Sequence, residues 1–222
     1  MWGTEDSSGS SQGVGGLSKI PLIQPDQSYT FADYFKLNSD TEEILAYFGY
    51  SFQPQPLELP KSERELEGLE DLKQRLQESL PYVTLSSEAA RREFLIVPVL
   101  MELIHYTQAR LKVEYSLMVN DQLKGTLNYY LQSENRLLVI EAKNADLQRG
   151  FTQLGVELIA IDQWSPTNKP RLYGAVSIGN VWQFGVLNRQ PKQILQDINL
   201  YRVPADLEDL LRILAAILRN SQ

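Results

Sequence analysis

The run Arg136-Leu137-Leu138-Val139-Ile140-Glu141-Ala142-Lys143-Asn144 constrains this chain more than any other stretch. Its apolar centre predicts a buried strand. Side chains two apart on a strand share a face. Glu141 and Lys143 therefore stand side by side, and Leu138, Ile140 and Ala142 face the opposite layer. Charges at the end of an apolar strand are costly to bury unless they are paired or bound to an ion. The pair is the first candidate for a functional site.

Composition removes several classes of chemistry. The chain has 222 residues, enough for one mid-sized domain plus an extension. Its net charge of -7 argues against coating nucleic acid by bulk charge, though a local basic groove remains compatible with it. There are no cysteines, which excludes disulfides, thiol nucleophiles and cysteine-bound zinc. His105 is the one histidine and reads as a residue near the end of a helix. Metal chemistry must then use oxygen ligands, which selects magnesium or manganese. The apolar stretch from Phe94 to Ile104 is too short to span a bilayer, and no signal peptide is seen, so the expectation is a cytoplasmic protein with no membrane partner. No Walker loop or dinucleotide fingerprint is present; Gly13-Val14-Gly15-Gly16 lacks a preceding strand.

Three regions follow from the pattern: a disordered Ser/Gly-rich head over 1–18, a helical N-terminal extension over 19–82, and a domain over 83–222. In the extension, Ser39-Asp40-Thr41-Glu42 reads as a capping box for a short helix ended by Gly49, and Ser51 to Pro60, with three prolines, as a linker. Ser62-Glu63-Arg64-Glu65 reads as a second capping box, opening a helix striped by Leu66, Leu69, Leu72, Leu76 and Leu80 and closed by Pro81. The stripe reads first as packing on a neighbouring element. It has too few heptads for a coiled-coil seam, yet these helices are where a homodimer or protein partner would attach.

From Ser86 the order is helix, three strands, helix, strands, helix. Ser86 or Ser87 caps the first helix. The strands are read over Lys112–Val119, Leu127–Leu131 and the Glu141 run, with turns at Asn120-Asp121 and Ser133-Glu134-Asn135. Asp146 to Ile161 is a helix striped by Leu147, Phe151, Leu154 and Leu158. Arg171–Ile178 and Val181–Leu187 form a hairpin, Ile194–Val203 another strand, and Pro204-Ala205-Asp206 opens the last helix. This order predicts an α/β fold with a mixed sheet flanked by helices. Trp164 and Trp182 read as packing anchors, and Tyr129 and Tyr130 as residues on opposite sheet faces.

The order and several residues resemble the restriction-endonuclease-like superfamily, the PD-(D/E)xK nucleases, and among them the nuclease domains of type I restriction subunits. Glu141-Ala142-Lys143 resembles the ExK half-motif at the end of the central strand. Gly125-Thr126-Leu127-Asn128-Tyr129 occupies the place of the strand that normally brings an Asp, and Gln153 resembles the glutamine often found on the following helix. Glu88, Arg92 and the run Leu95 to Leu100 look like the first helix of the type I domains. The resemblance covers roughly the last three-fifths of the chain and leaves residues before about Val83 unexplained.

The resemblance implies a restriction-endonuclease-like sheet and a magnesium- or manganese-dependent nuclease acting on nucleic acid. The implied metal ligands are Asn128, Glu141 and the main-chain carbonyl of Ala142. Lys143 would orient a water or stabilise developing charge, Gln153 would position a phosphate or the Lys143 ammonium, and Glu88 would orient the site or serve a second ion. The departure is Asn128, a neutral amide where the family has a carboxylate, which weakens metal binding. Two further expectations follow from it: a nuclease-fold protein that no longer cuts and serves as a binding or assembly module, and a subunit whose missing acid comes from a partner. Without the family context, Glu141 and Lys143 read as a strand-end ion pair, Glu88 as helix N-terminal charge, Arg92 as a solvated residue or its i,i+4 partner, and Gln153 as a surface amide.

Overall fold

The computed structural model describes residues 23–134, 136–143 and 146–219, with the backbone alone at 136 and 137. The head read as disordered, together with Asn135, Asn144 and Ala145, lies outside the described residues.

The chain forms a mixed eight-stranded open sheet with helices on both faces. The strands are β1 (Ser51–Gln55), β2 (Arg110–Asn120), β3 (Leu123–Ser133), β4 (Arg136–Ala142), β5 (Arg171–Ser177), β6 (Val181–Asn188), β7 (Gln193–Asp197) and β8 (Tyr201–Arg202). Their order is β1-β7-β6-β5-β4-β3-β2, with β8 on β6. The pairs β4–β5 and β1–β7 are parallel, and the remaining pairs are antiparallel. The parallel pair β4–β5 needs a crossover, and helix α6 (Leu147–Trp164) supplies it.

Alternation along β4 sorts its side chains into two cores. Leu138, Ile140 and Ala142 join the core built with α3 (Leu69–Ser79), α5 (Val97–Thr107) and α7 (Leu207–Leu218). Val139 joins the other, built with α1 (Phe31–Lys36), α2 (Thr41–Tyr47) and α6. Every residue from Gly150 to Ile161 is buried. A helix covered on all sides fits its place between the sheet and the two N-terminal helices. The leucine stripe behaves as read: Leu66, Leu69, Leu72 and Leu76 are buried in the first core.

Several expectations, most of them in the extension, are corrected. The segment read as a linker contains β1, paired in register with β7 from Ser51↔Gln193 to Gln55↔Asp197. Pro54 is tolerated because β1 is an edge strand, where a missing N–H breaks no central ladder. The box at Ser62 does not start a helix. Arg212 of α7 donates to the carbonyls of Ser62 and Arg64, which holds that segment, and the helix begins at Leu69 after Gly68. The short helix before Gly49 is present, but Thr41 begins it and Asp40 is its N-cap, without a side-chain cap bond. A cap occurs one helix earlier, where the Thr30 N–H and hydroxyl both donate to the Asp33 carboxylate, at 2.9 and 2.7 Å, and the Asp33 N–H donates to the Thr30 carbonyl at 3.0 Å. The single strand read over Ile194–Val203 is two, β7 and β8, because Asp197 Oδ1 accepts from the Asn199 amide and turns the chain. Among the described residues no helix is long and apolar enough to cross a membrane.

Candidate functional site

The β3–β4 ladder ends at the pair Tyr129↔Ile140. One step further would place Asn128 opposite Glu141. Two features stop the ladder there. Glu114, facing that position from β2, takes a left-handed φ of 52°. Leu127 and Tyr130, three apart in sequence, both reach the α6-side core, so the twofold alternation of β3 shifts phase around Asn128. The Asn128 side chain then turns into the ladder, and its Oδ1 accepts the Ala142 N–H at 2.9 Å. An amide side chain replaces the missing rung.

Glu141 is fully buried. Its Oε1 meets Lys143 Nζ at 2.7 Å, and its carboxyl also lies within hydrogen-bonding reach of the Glu157 carboxyl. The Lys143 side chain is 14% exposed. Its ammonium lies 4.7 Å from the centre of the Phe35 ring, so α1 contributes a cation–π wall. The lysine stem runs along α6 at Gly150, where a Cβ would stand 2.7 Å from Val176 Cγ2 and 3.1 Å from Lys143 Cγ. Gly150→Ala is expected to lower stability by up to about 2 kcal/mol in urea titration. Overpacking there outweighs the roughly 1 kcal/mol gained in helix propensity.

Helix α6 supplies the rest of the cluster. Gln153 Nε2 donates to Glu157 Oε1 at 2.8 Å, and both residues are buried. Among the described residues Gln153 Oε1 has no hydrogen-bond partner, and the Glu157 carboxyl meets that of Glu141. Burial, then repulsion from Glu141, pushes the Glu157 carboxyl well above its ordinary range, against the opposing Gln153 hydrogen bond. Burial also raises Glu141, while the charge and contact of Lys143 and then a hydrogen bond from the Glu157 carboxyl pull it back, and the charge of Glu88 adds to the rise.

The structure thus brings Asn128, Glu141, Ala142, Lys143 and Gln153 together. Glu88 differs. It opens α4 (Glu88–Arg91) behind the N-cap Ser87 and lines a groove with Arg92 and Tyr129, affecting Glu141 only through charge. Gln153 is no surface amide. Arg92 does not pair with Glu88. The helix switches to π spacing over Arg92–Ile96, and the guanidinium instead reaches Glu114 at 2.7 Å and the Tyr129 hydroxyl at 3.1 Å. Trp182 is a buried anchor, but Trp164 is 41% exposed. Sequence reasoning missed Glu157 and Phe35. Glu157 left a signal, being an acid inside the apolar run Gly155–Ile161.

The donor set does not suit the divalent ion that the resemblance implies. The Asn128 carbonyl oxygen is engaged by a main-chain N–H, and the other end of that amide is an NH₂, a donor and not a ligand. One oxygen of Glu141 already faces an ammonium. Among the described residues no group of three or more acidic, histidine or cysteine side chains is placed to hold a metal. No protein-family model, curated protein or solved structure matches the chain.

Proposed function

We propose that this chain is a restriction-endonuclease-like protein that has lost phosphodiester cutting and acts as a binding or assembly module, in a cytoplasmic setting. The observation that carries the reading is the Asn128 amide. An aspartate could accept the Ala142 N–H with one oxygen and offer the second, charged one to a cation. Asparagine uses its one side-chain oxygen in that bond, and the rest of its amide is a donor that cannot ligate a cation. Glu141 and Lys143 then compensate one another inside the protein.

A second reading, a magnesium- or manganese-dependent nuclease of nucleic acid, is favoured by the two adjoining buried carboxyls of Glu141 and Glu157 and by the Gln153 oxygen without a partner among the described residues. One experiment separates the two. The natural chain is incubated with single- and double-stranded DNA and RNA and either metal, beside Lys143→Ala. No cleavage is expected. Cleavage that Lys143→Ala abolishes would replace the first reading by the second. The sharper variant is Asn128→Asp, expected to bind Mn²⁺ about tenfold more tightly than the natural chain by calorimetry. It should also gain thermal stability on Mn²⁺ addition, because a ligand of the folded state alone shifts unfolding. Unchanged affinity would remove Asn128 from any metal site.

A further inference from the structure

At the C-terminal end of β3, beyond Asn128, a pocket of about 540 Å³ opens between β3 and the C-terminal end of α6. Its volume lies within the range of small-ligand sites. Trp164, Tyr130, Gln132 and Asn168 line it. Trp164 is the last residue of α6, and its ring meets Tyr115 and Tyr130 with centroids at 6.2 and 6.4 Å. Those two tyrosines stack on each other at 5.2 Å. Three aromatic rings thus support one another, yet the outermost stays 41% exposed. An indole kept partly in water beside a cavity is a platform for a flat ring.

The wall opposite the sheet is held in place. Arg189 pairs with the Asp162 carboxylate, donates to the Asp162 carbonyl at 3.0 Å and also donates to the Thr167 carbonyl, fixing the loop that presents Asn168. The Tyr50 hydroxyl donates to Asp162 at 2.7 Å. Gln132 and Asn168 carry amides, each with a donor and an acceptor, the functions needed to read the edge of a base.

Charge selects among flat ligands. In the β2–β3 register, Arg110 lies opposite Gln132 and Lys112 opposite Tyr130, and cross-strand partners share a face. Two cations therefore flank the pocket lining from the edge strand. Neither enters a salt bridge among the described residues. The Lys112 ammonium sits 4.3 Å from the Tyr115 ring centre, beside the aromatic stack.

We propose that this pocket binds a nucleobase carrying a phosphate, with the base against Trp164, its edge toward Gln132 and Asn168, and the phosphate toward Arg110 and Lys112. The source is either a free nucleotide or one unit of a single strand. The site is separate from the Glu141 cluster and independent of the reading given to it.

The test uses the full chain and tryptophan fluorescence, titrated with a nucleoside monophosphate, with short oligo(dT) and oligo(U), and with a neutral oligosaccharide. Saturable quenching by nucleotide or oligonucleotide is expected. Trp164→Leu should weaken binding, followed by calorimetry, at least about fivefold, the lower end for one stacked base. Trp164→Phe should retain most of the affinity. Arg110→Glu with Lys112→Glu should weaken binding and flatten its salt dependence. Free nucleotide binding as tightly as the oligonucleotides marks a nucleotide site, and oligonucleotide preference marks a single-strand site; both support the proposal. Binding of the oligosaccharide alone, no binding of any nucleic acid probe, or binding indifferent to Trp164→Leu would each overturn it.

Discussion

Replacing Lys143 by Met is expected to cost about 3–5 kcal/mol of stability at neutral pH, because it strands the buried Glu141 carboxylate without its counter-charge. Methionine keeps the length of the stem along Gly150 and its contact with Phe35, so the loss reports charge more than packing. Two measurements check the cause. The double variant Lys143→Met with Glu141→Gln should recover most of the loss, since an amide carries no charge to strand. The loss in the single variant should also shrink in acid. Without the ammonium, burial acts on Glu141 unopposed and its folded-state pKa lies still higher. A carboxyl raised in the folded state contributes full stability below the ordinary carboxyl range and loses it as pH climbs toward the folded value. Chemical denaturation of the natural and variant chains, at the acid edge of stability and at neutrality, should therefore give a gap that widens with pH. A gap of constant size would mean that Lys143 acts by packing alone.

The pairing behind this prediction was legible because it depends only on strand periodicity. Once Arg136–Ala142 is a strand, Glu141 and Lys143 must share a side, and Leu138, Ile140 and Ala142 the other. Helix α6 was legible for a similar reason, its long apolar content fixing the type of element. The places where reading failed are those where tertiary contacts decide. A segment with three prolines looks like a connector until an edge of the sheet accepts it as β1. The six residues of α1 are too short for a periodic signal, and what fixes them is burial of Phe31 and Tyr34 together with the Tyr34 hydroxyl bond to the Gln122 carbonyl.

At the candidate site, the sequence could name Asn128 and its departure from a carboxylate, but not what the amide does. That role follows from Glu114 adopting a left-handed backbone and β3 shifting its alternation, neither of which has a marker in the residue pattern. Arg92 shows the same limit. Its i,i+4 distance from Glu88 suggests a pair, yet a π-helical segment and the reach of Glu114 across the groove redirect it. Local spacing predicts neighbours only where the local geometry stays regular.

Glu157 leads to the second large effect. Glu157→Gln is expected to stabilise the chain, with a gain that grows as pH rises. Burial and the neighbouring Glu141 hold this carboxyl in its neutral form over a range in which an exposed glutamate is ionised. The unfolded chain releases that proton and the folded chain keeps it, so rising pH favours unfolding. Stability from this group is complete below the ordinary carboxyl range and declines through the interval up to the folded pKa, by about 1.4 kcal/mol for each pH unit. A glutamine has no proton to keep. Its carbonyl can still accept from Gln153, as Glu157 Oε1 does at 2.8 Å, and its NH₂ can donate to the Glu141 carboxylate in place of the hydroxyl of the neutral Glu157 carboxyl. Urea titrations of both chains from about pH 5 to about pH 8 should give curves that diverge with increasing pH. Parallel curves would show that Glu157 ionises in the folded protein. They would also require a cation, or a closer approach of Lys143, to neutralise two carboxylates in one dry pocket, and so would revive the metal-binding reading of the cluster.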